Sequence, residues 1–121
     1  MSRLVKDLQL LMPPPLNPSE TEGSWEKVEE EMNTPLPHDY KDFIGIYGSG
    51  YIGEMPLYIN NALSADVGNN LILDAQRIAK AYQQLIAGGY RMRFKLFPAP
   101  GGLLPWGRTG NGDYLHWLTK G

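Results

Sequence analysis

Leu103-Leu104-Pro105-Trp106-Gly107-Arg108 and Tyr114-Leu115-His116-Trp117-Leu118-Thr119 read as two strands, with Asn111-Gly112 between them. Asn and Gly both tolerate positive φ, so the pair is the strongest short signal for a hairpin of antiparallel strands. Upstream, Tyr51-Ile52 and Leu57-Tyr58-Ile59 are short strand-like segments, and Pro56 between them marks a bend or an edge position. Met92, Phe94 and Leu96 alternate with Arg91, Arg93 and Lys95, which predicts a further half-buried strand with three cations on its open face. Turns of hairpin type join these segments, and βαβ spacing is missing. Helical periodicity comes mostly before them. The expected fold is α+β, with helices packed around a largely antiparallel β-sheet.

Working outward, Leu4, Val5, Leu8, Leu11 and Met12 recur at three- and four-residue intervals and predict a helix over 1–12 with one apolar face. Pro13 to Pro15 end it, and residues 13–18 form an extended, semi-rigid strut. Ser19 and Glu22 have capping-box spacing and predict a second helix running to about Asn33, with Trp25, Val28 and Met32 as its apolar stripe. Glu20, Glu22 and Glu26 would then sit near the positive end of its dipole. Leu36-Pro37 restarts the chain into a third helix with Tyr40, Phe43, Ile44 and Tyr47 on one face, stopped by Gly48 to Gly50. A fourth helix runs from Asp74 as cap, through Ile78, Ala79, Tyr82, Leu85 and Ile86, to Gly88-Gly89.

At 121 residues and 13.6 kDa the chain fits one domain, 1–121, large enough to fold on its own core. With 42% hydrophobic and 20% charged residues it is neither disordered nor fibrous. Zero cysteines exclude disulfides, thiolate zinc sites and Cys nucleophiles, and two histidines cannot build a multi-histidine metal centre. No cofactor or metal is expected. Arg3, Lys6 and Asp7 interrupt the N-terminal apolar stretch, and no run of about 18 apolar residues occurs, so the expected location is cytoplasmic with no membrane partner. Charge is uneven: residues 1–66 hold 11 acids and four bases, residues 67–121 two acids and seven bases. Such asymmetry organises a binding field.

Most motifs that could carry catalysis fail on context. Gly48-Ser49-Gly50-Tyr51-Ile52-Gly53 is a literal G-x-G-x-x-G, but a dinucleotide site needs a helix to begin there, and Pro56 with a β-rich run follows instead. His38 beside Asp39 and His116 near Asp113 lack a nucleophile elbow, and strand alternation puts Asp113 and His116 on opposite faces. Gly110 to Asp113 offers too few oxygens for calcium and reads as a turn. Arg91, Arg93 and Lys95 lack the basic stripe that nucleic acid requires. Glu26, Glu29, Glu30, Asp39 and Asp42 could instead form one acidic surface for a basic partner.

Leu36-Pro37-His38-Asp39-Tyr40-Lys41-Asp42-Phe43-Ile44, continuing into Tyr47-Gly48-Ser49-Gly50-Tyr51-Ile52, resembles a characteristic segment of the SUKH superfamily. So does Pro105-Trp106-Gly107-Arg108-Thr109-Gly110-Asn111-Gly112-Asp113-Tyr114-Leu115-His116-Trp117-Leu118, and Trp25 with Glu29 matches a helix upstream. The superfamily includes fungal cell-wall synthesis regulators of the Smi/Knr type and bacterial immunity proteins against polymorphic toxins. The resemblance implies an α+β domain that binds protein without catalysis, foremost an immunity protein occluding a nuclease-type toxin. A regulatory or scaffolding subunit in a cell-envelope pathway is the alternative, and a small hydrolase using His116 and Asp113 is a third reading.

The motif carries over as Trp25, Leu36, Pro37, Tyr40, Phe43, Gly48, Gly50, Trp106, Gly107, Gly112, Asp113 and Trp117, mostly in structural roles: aromatics for the core, glycines for turns, and Asp113 to hydrogen-bond the hairpin backbone. The expected partner face combines the five acids with Tyr51 or Trp106 as aromatic anchor. The N-terminal helix and its strut lie outside the motif pattern. Family members usually continue with a further strand and a C-terminal helix, so strand 114–119 is expected at an edge, where it could support self-association.

Overall fold

The structure is a computed structural model and describes residues 2–54 and 56–119. Met1, where the first predicted helix would begin, and the last two residues lie outside that description. Among the described residues four helices, α1 (Arg3–Leu11), α2 (Trp25–Met32), α3 (His38–Tyr47) and α4 (Leu71–Ala87), accompany four strands, β1 (Tyr51–Ile52), β2 (Leu57–Ile59), β3 (Leu103–Thr109) and β4 (Tyr114–Leu118). The strands form one antiparallel sheet in the order β1-β2-β3-β4. The fold is α+β, and β4 is an edge among the described residues.

Register decides what each face of the sheet presents. Tyr51 pairs with Tyr58, Tyr58 with Arg108, and Arg108 with Tyr114, so a row of three tyrosines and one arginine crosses all four strands on one face. Ile59, Gly107 and Leu115 line up on the other. Between Pro105 and Gly107 the β3–β4 register shifts, leaving Trp106 without a cross-strand partner. A bulge of this kind re-aims a side chain, and Trp106 turns onto the Trp117 ring, 5.5 Å away and nearly parallel at 17°.

The core joins Val28 and Met32 of α2, Tyr40 and Ile44 of α3, and Leu71 of α4 to Leu104 of β3. Beside it sits a polar hub. Asn60 and Asn61, both fully buried, follow β2 directly. The Asn60 side chain donates to Asp74 Oδ2 (2.8 Å), its backbone N–H donates to Trp106 O (2.8 Å), and its carbonyl accepts from Tyr40 Oη (2.5 Å). Tyr40 Oη also accepts from Ala62 N–H (3.2 Å), and burial pushes its phenol well above the ordinary 10.0. Asn61 Nδ2 donates to Glu20 O and Ser49 Oγ, both at 2.9 Å. These bonds fix the loop after β2 against α3 and α4 through groups that would otherwise be costly to bury.

Three expected elements are corrected. First, α2 starts at Trp25 under a Ser24 cap, and the Ser19–Glu22 box does not form. Glu20 adopts φ 56, and its carboxylate accepts from Ser64 Oγ (2.8 Å), Ala65 N–H (2.9 Å) and Ser49 Oγ (2.9 Å), three donors that a helix start could not supply. Second, α4 is capped by Asn70, and Asp74 lies buried in its first turn, bonded to Asn60 and Arg77. Third, residues 91–95 form no strand. Only Leu96 bridges to Leu103, and Phe94 is 48% exposed. Further along β3, residues 103–108 pair with β4 and 107–109 with β2, while Pro98 and Pro100 lack the N–H groups to extend a new ladder.

α1 docks on α3 at both ends, through Ser2 N–H to Asp42 Oδ2 (2.5 Å) and Tyr47 Oη to Met12 O (2.6 Å). Only Val5 is buried, and Leu4 and Leu11, expected on the apolar face, are exposed. Among the described residues no helix is long and apolar enough to cross a membrane.

The Glu20 contacts predict a pH dependence. Its hydrogen bonds, foremost that from Ser64, hold the carboxyl below the usual 4.5. A depressed folded-state pKa contributes stability that is complete above the unfolded value and lost as pH falls through the folded one. The thermal midpoint should therefore drop on acidification below pH 4.5, and E20Q should flatten that drop. Identical pH slopes for the two proteins would contradict this role.

Candidate functional site

Three sequence blocks far apart in the chain meet in one aromatic chain. Trp25 of α2 meets Tyr40 of α3 edge-on (centroids 5.8 Å), Tyr40 meets Trp117 of β4 edge-on (5.0 Å), and Trp117 stacks on Trp106. Such pairs stabilise beyond their buried area. The Tyr40, Trp117 and Trp106 part of this chain borders an open groove of about 360 Å³. Pro37, Tyr40, Phe43, Trp106 and Trp117 line it, with Leu4, Val5 and Leu8 of α1 as the far wall. Asp39 is the one charged lining residue.

Chemically the groove can bind but has little with which to react. The Tyr40 hydroxyl is committed to Asn60 and Ala62, and Asp39 is the one carboxylate in the lining. An apolar trough with one carboxylate at its margin fits an aliphatic or aromatic side chain flanked by a basic one.

The acids expected to form one face divide into two kinds. Glu26, Glu30 and Asp39 are exposed. Glu29 accepts from Leu36 N–H (2.6 Å) and Lys41 Nζ (3.0 Å), and the backbone bond above all holds its pKa below the ordinary range. Asp42 holds Ser2. Glu29 and Asp42 are therefore internal clasps, one joining α2 to α3 and the other α1 to α3. The two anchors also separate: Trp106 lines the groove, whereas Tyr51, 67% exposed, sits at the far end of the sheet, 5.6 Å from the Tyr58 ring. There a second, polar hollow brings Tyr51 and Tyr58 beside Arg108, whose guanidinium lies 4.8 Å over the Tyr58 ring.

The remaining motif residues act in the backbone. Leu36 is buried in the core and Gly48 ends α3. Gly50 (φ 156) leads into β1, so no helix begins at the G-x-G-x-x-G loop. Gly107 passes close to Tyr58 O, and Gly112 (φ 89) makes the hairpin turn. Asp113 bonds the hairpin differently from expectation: its backbone, not its carboxylate, pairs with Thr109, N–H to Thr109 Oγ1 (3.2 Å) and carbonyl from Thr109 N–H (2.9 Å). No hydrogen bond joins Asp113 to His116. His116 Nε2 instead lies 3.4 Å from Tyr82 Oη, and burial lowers its pKa. His38 opens α3 and is exposed. Among the described residues no three His, Cys, Asp or Glu side chains are grouped to hold a metal ion.

A family model described as SMI1-KNR4 cell-wall, of the SUKH group, matches residues 22–121. The chain belongs to the SUKH/SMI1-KNR4 family. The match takes in α2 through β4, and thus every aromatic of the chain from Trp25 to Trp117, while α1 and the proline strut precede it. No match was found among curated proteins or solved structures.

Proposed function

We propose that this SUKH protein is a non-catalytic binding module: a cytoplasmic immunity protein that neutralises a polymorphic, nuclease-type toxin domain by occlusion. The observation that supports this reading is the groove, built from family-motif aromatics, apolar along its length and carrying Asp39 as its lone charge. Nucleases present basic surfaces to their substrates. A basic domain seated here would place apolar side chains against Trp106 and a cation near Asp39, with Glu26 and Glu30 steering its approach. A regulatory subunit in a cell-envelope pathway is the second reading, favoured by the cell-wall description of the family.

The test pairs the chain with a candidate partner of the proposed kind, a basic nuclease-type toxin domain. The wild-type protein should protect cells expressing that domain. D39K should slow association about tenfold at low salt, as loss of steering does, and W106A should speed dissociation by about 30-fold or more, the effect of losing an interface anchor. Unchanged rates for both variants would remove the groove from the reading. Failure to protect, together with binding to an envelope enzyme, would favour the second.

A further inference from the structure

The segment from the end of α4 to Lys95 is an unpartnered surface of unusual composition. Leu85, Ile86, Tyr90 and Phe94 are 43 to 58% exposed, and Arg91, Arg93 and Lys95 stand among them. Ile86 and residues 90–95 surround an open hollow of about 530 Å³. Scattered exposed apolar residues are ordinary, whereas a contiguous apolar patch marks an interaction site. Tyr, Phe, Met and Arg, the run found at 90–94, are the residues enriched in the cores of protein interfaces.

The charges indicate what covers it. The two ion pairs among the described residues are Glu29–Lys41 and Asp74–Arg77, so none of the three cations at 91–95 is neutralised. Glu22, Glu26, Glu30 and Glu31, on and just before α2, are exposed and equally unpaired. One molecule therefore carries a cationic apolar surface and an anionic one that it does not bring together. A nucleic acid on residues 91–95 would be repelled by the acidic half of the chain. A second copy supplies the complement already present.

We propose that the segment 85–95 docks against the acidic α2 of a second copy, and that two such contacts about a two-fold axis close a dimer. In an isologous interface each copy gives one contact and receives the other, so the assembly ends at two. This inference does not involve the edge of β4; it shares Glu26 and Glu30 with the steering role under "Proposed function", so a dimer and a toxin would compete for that face, but its test needs only the isolated chain.

Sedimentation velocity on the full chain tests it. In about 0.01 M salt, where charges act over about 30 Å, the wild type should sediment at twice the 13.6 kDa mass. In about 1 M salt, where the range is about 3 Å, it should revert to monomer. R91E/R93E and E26K/E30K should each be monomeric at low salt, with circular dichroism matching the wild type. An equimolar mixture of the two should recover the dimer, since each then carries the charges the other needs. A monomeric wild type at low salt would overturn the proposal. So would dimers of R91E/R93E alone, which would place the contact elsewhere, or a mixture that stays monomeric.

Discussion

Gly48→Ala is expected to destabilise the protein by about 3 kcal/mol or more, far beyond what one methyl group normally does. Gly48 ends α3 at φ 69 and ψ −155, a region essentially closed to residues with a Cβ and costing them about 1–3 kcal/mol. A Cβ there would also fall on the backbone of Ser19, which the Ser49 N–H bond to Ser19 O (3.0 Å) keeps in place. Overpacking against fixed backbone adds about 1–3 kcal/mol more. Gly45 supplies the control three residues earlier. It lies exposed within α3, and an added Cβ meets nothing within 4 Å, so Gly45→Ala should stabilise by about 0.5–1 kcal/mol through helix propensity. Urea midpoints of the two variants should move in opposite directions. Shifts of the same sign would contradict the assigned backbone geometry.

Trp117→Ala is the second large effect, with an expected loss of about 2–3 kcal/mol, below the range of about 3–5 kcal/mol for a fully buried aromatic because Trp117 is half-buried at the groove. Trp117 is the middle of the aromatic chain, stacked on Trp106 and edge-on to Tyr40. Its removal leaves both neighbours facing a void between β4 and α3. Among the described residues β4 is an edge strand, with no strand on its far side to compensate. Trp117→Phe keeps a ring in the same place and should recover more than half of that loss. Equal midpoints for the Ala and Phe variants would show that the ring contacts contribute little.

Much of this fold is legible in the sequence because its signals are local. The Asn111-Gly112 turn gives the β3–β4 hairpin, and the apolar spacing of Tyr40, Ile44 and Tyr47 gives the buried face of α3. Local signals fail where a distant partner outbids them. Glu20 and Asp74 look like helix-start acids, yet the loop after β2 claims one through Ser64 and Ala65 and the other through Asn60. The pointer to that hub is the pair Asn60-Asn61 directly after an apolar strand, where side-chain amides must find partners if buried. Alternation at residues 91–96 predicts a strand, but a strand also needs an edge to pair with, and that is a property of the whole sheet. For the groove, the family motif marks Tyr40, Phe43, Trp106 and Trp117 individually. Their convergence depends on the bulge at Trp106, which periodicity does not show. The division of the acids into exposed Glu26, Glu30 and Asp39 and clasped Glu29 and Asp42 is likewise a matter of tertiary contacts.

The central claim is that the aromatic groove is the surface this SUKH protein uses to occlude its partner. Amide hydrogen exchange of the chain, alone and saturated with a nuclease-type toxin domain that it is found to bind, addresses that claim most directly. The account predicts slowed exchange in the first turns of α3, around His38 to Phe43, and along β4, the elements that carry Asp39, Tyr40 and Trp117. Protection confined to the Tyr51–Arg108 hollow or the 85–95 segment, with α3 and β4 unchanged, would contradict it.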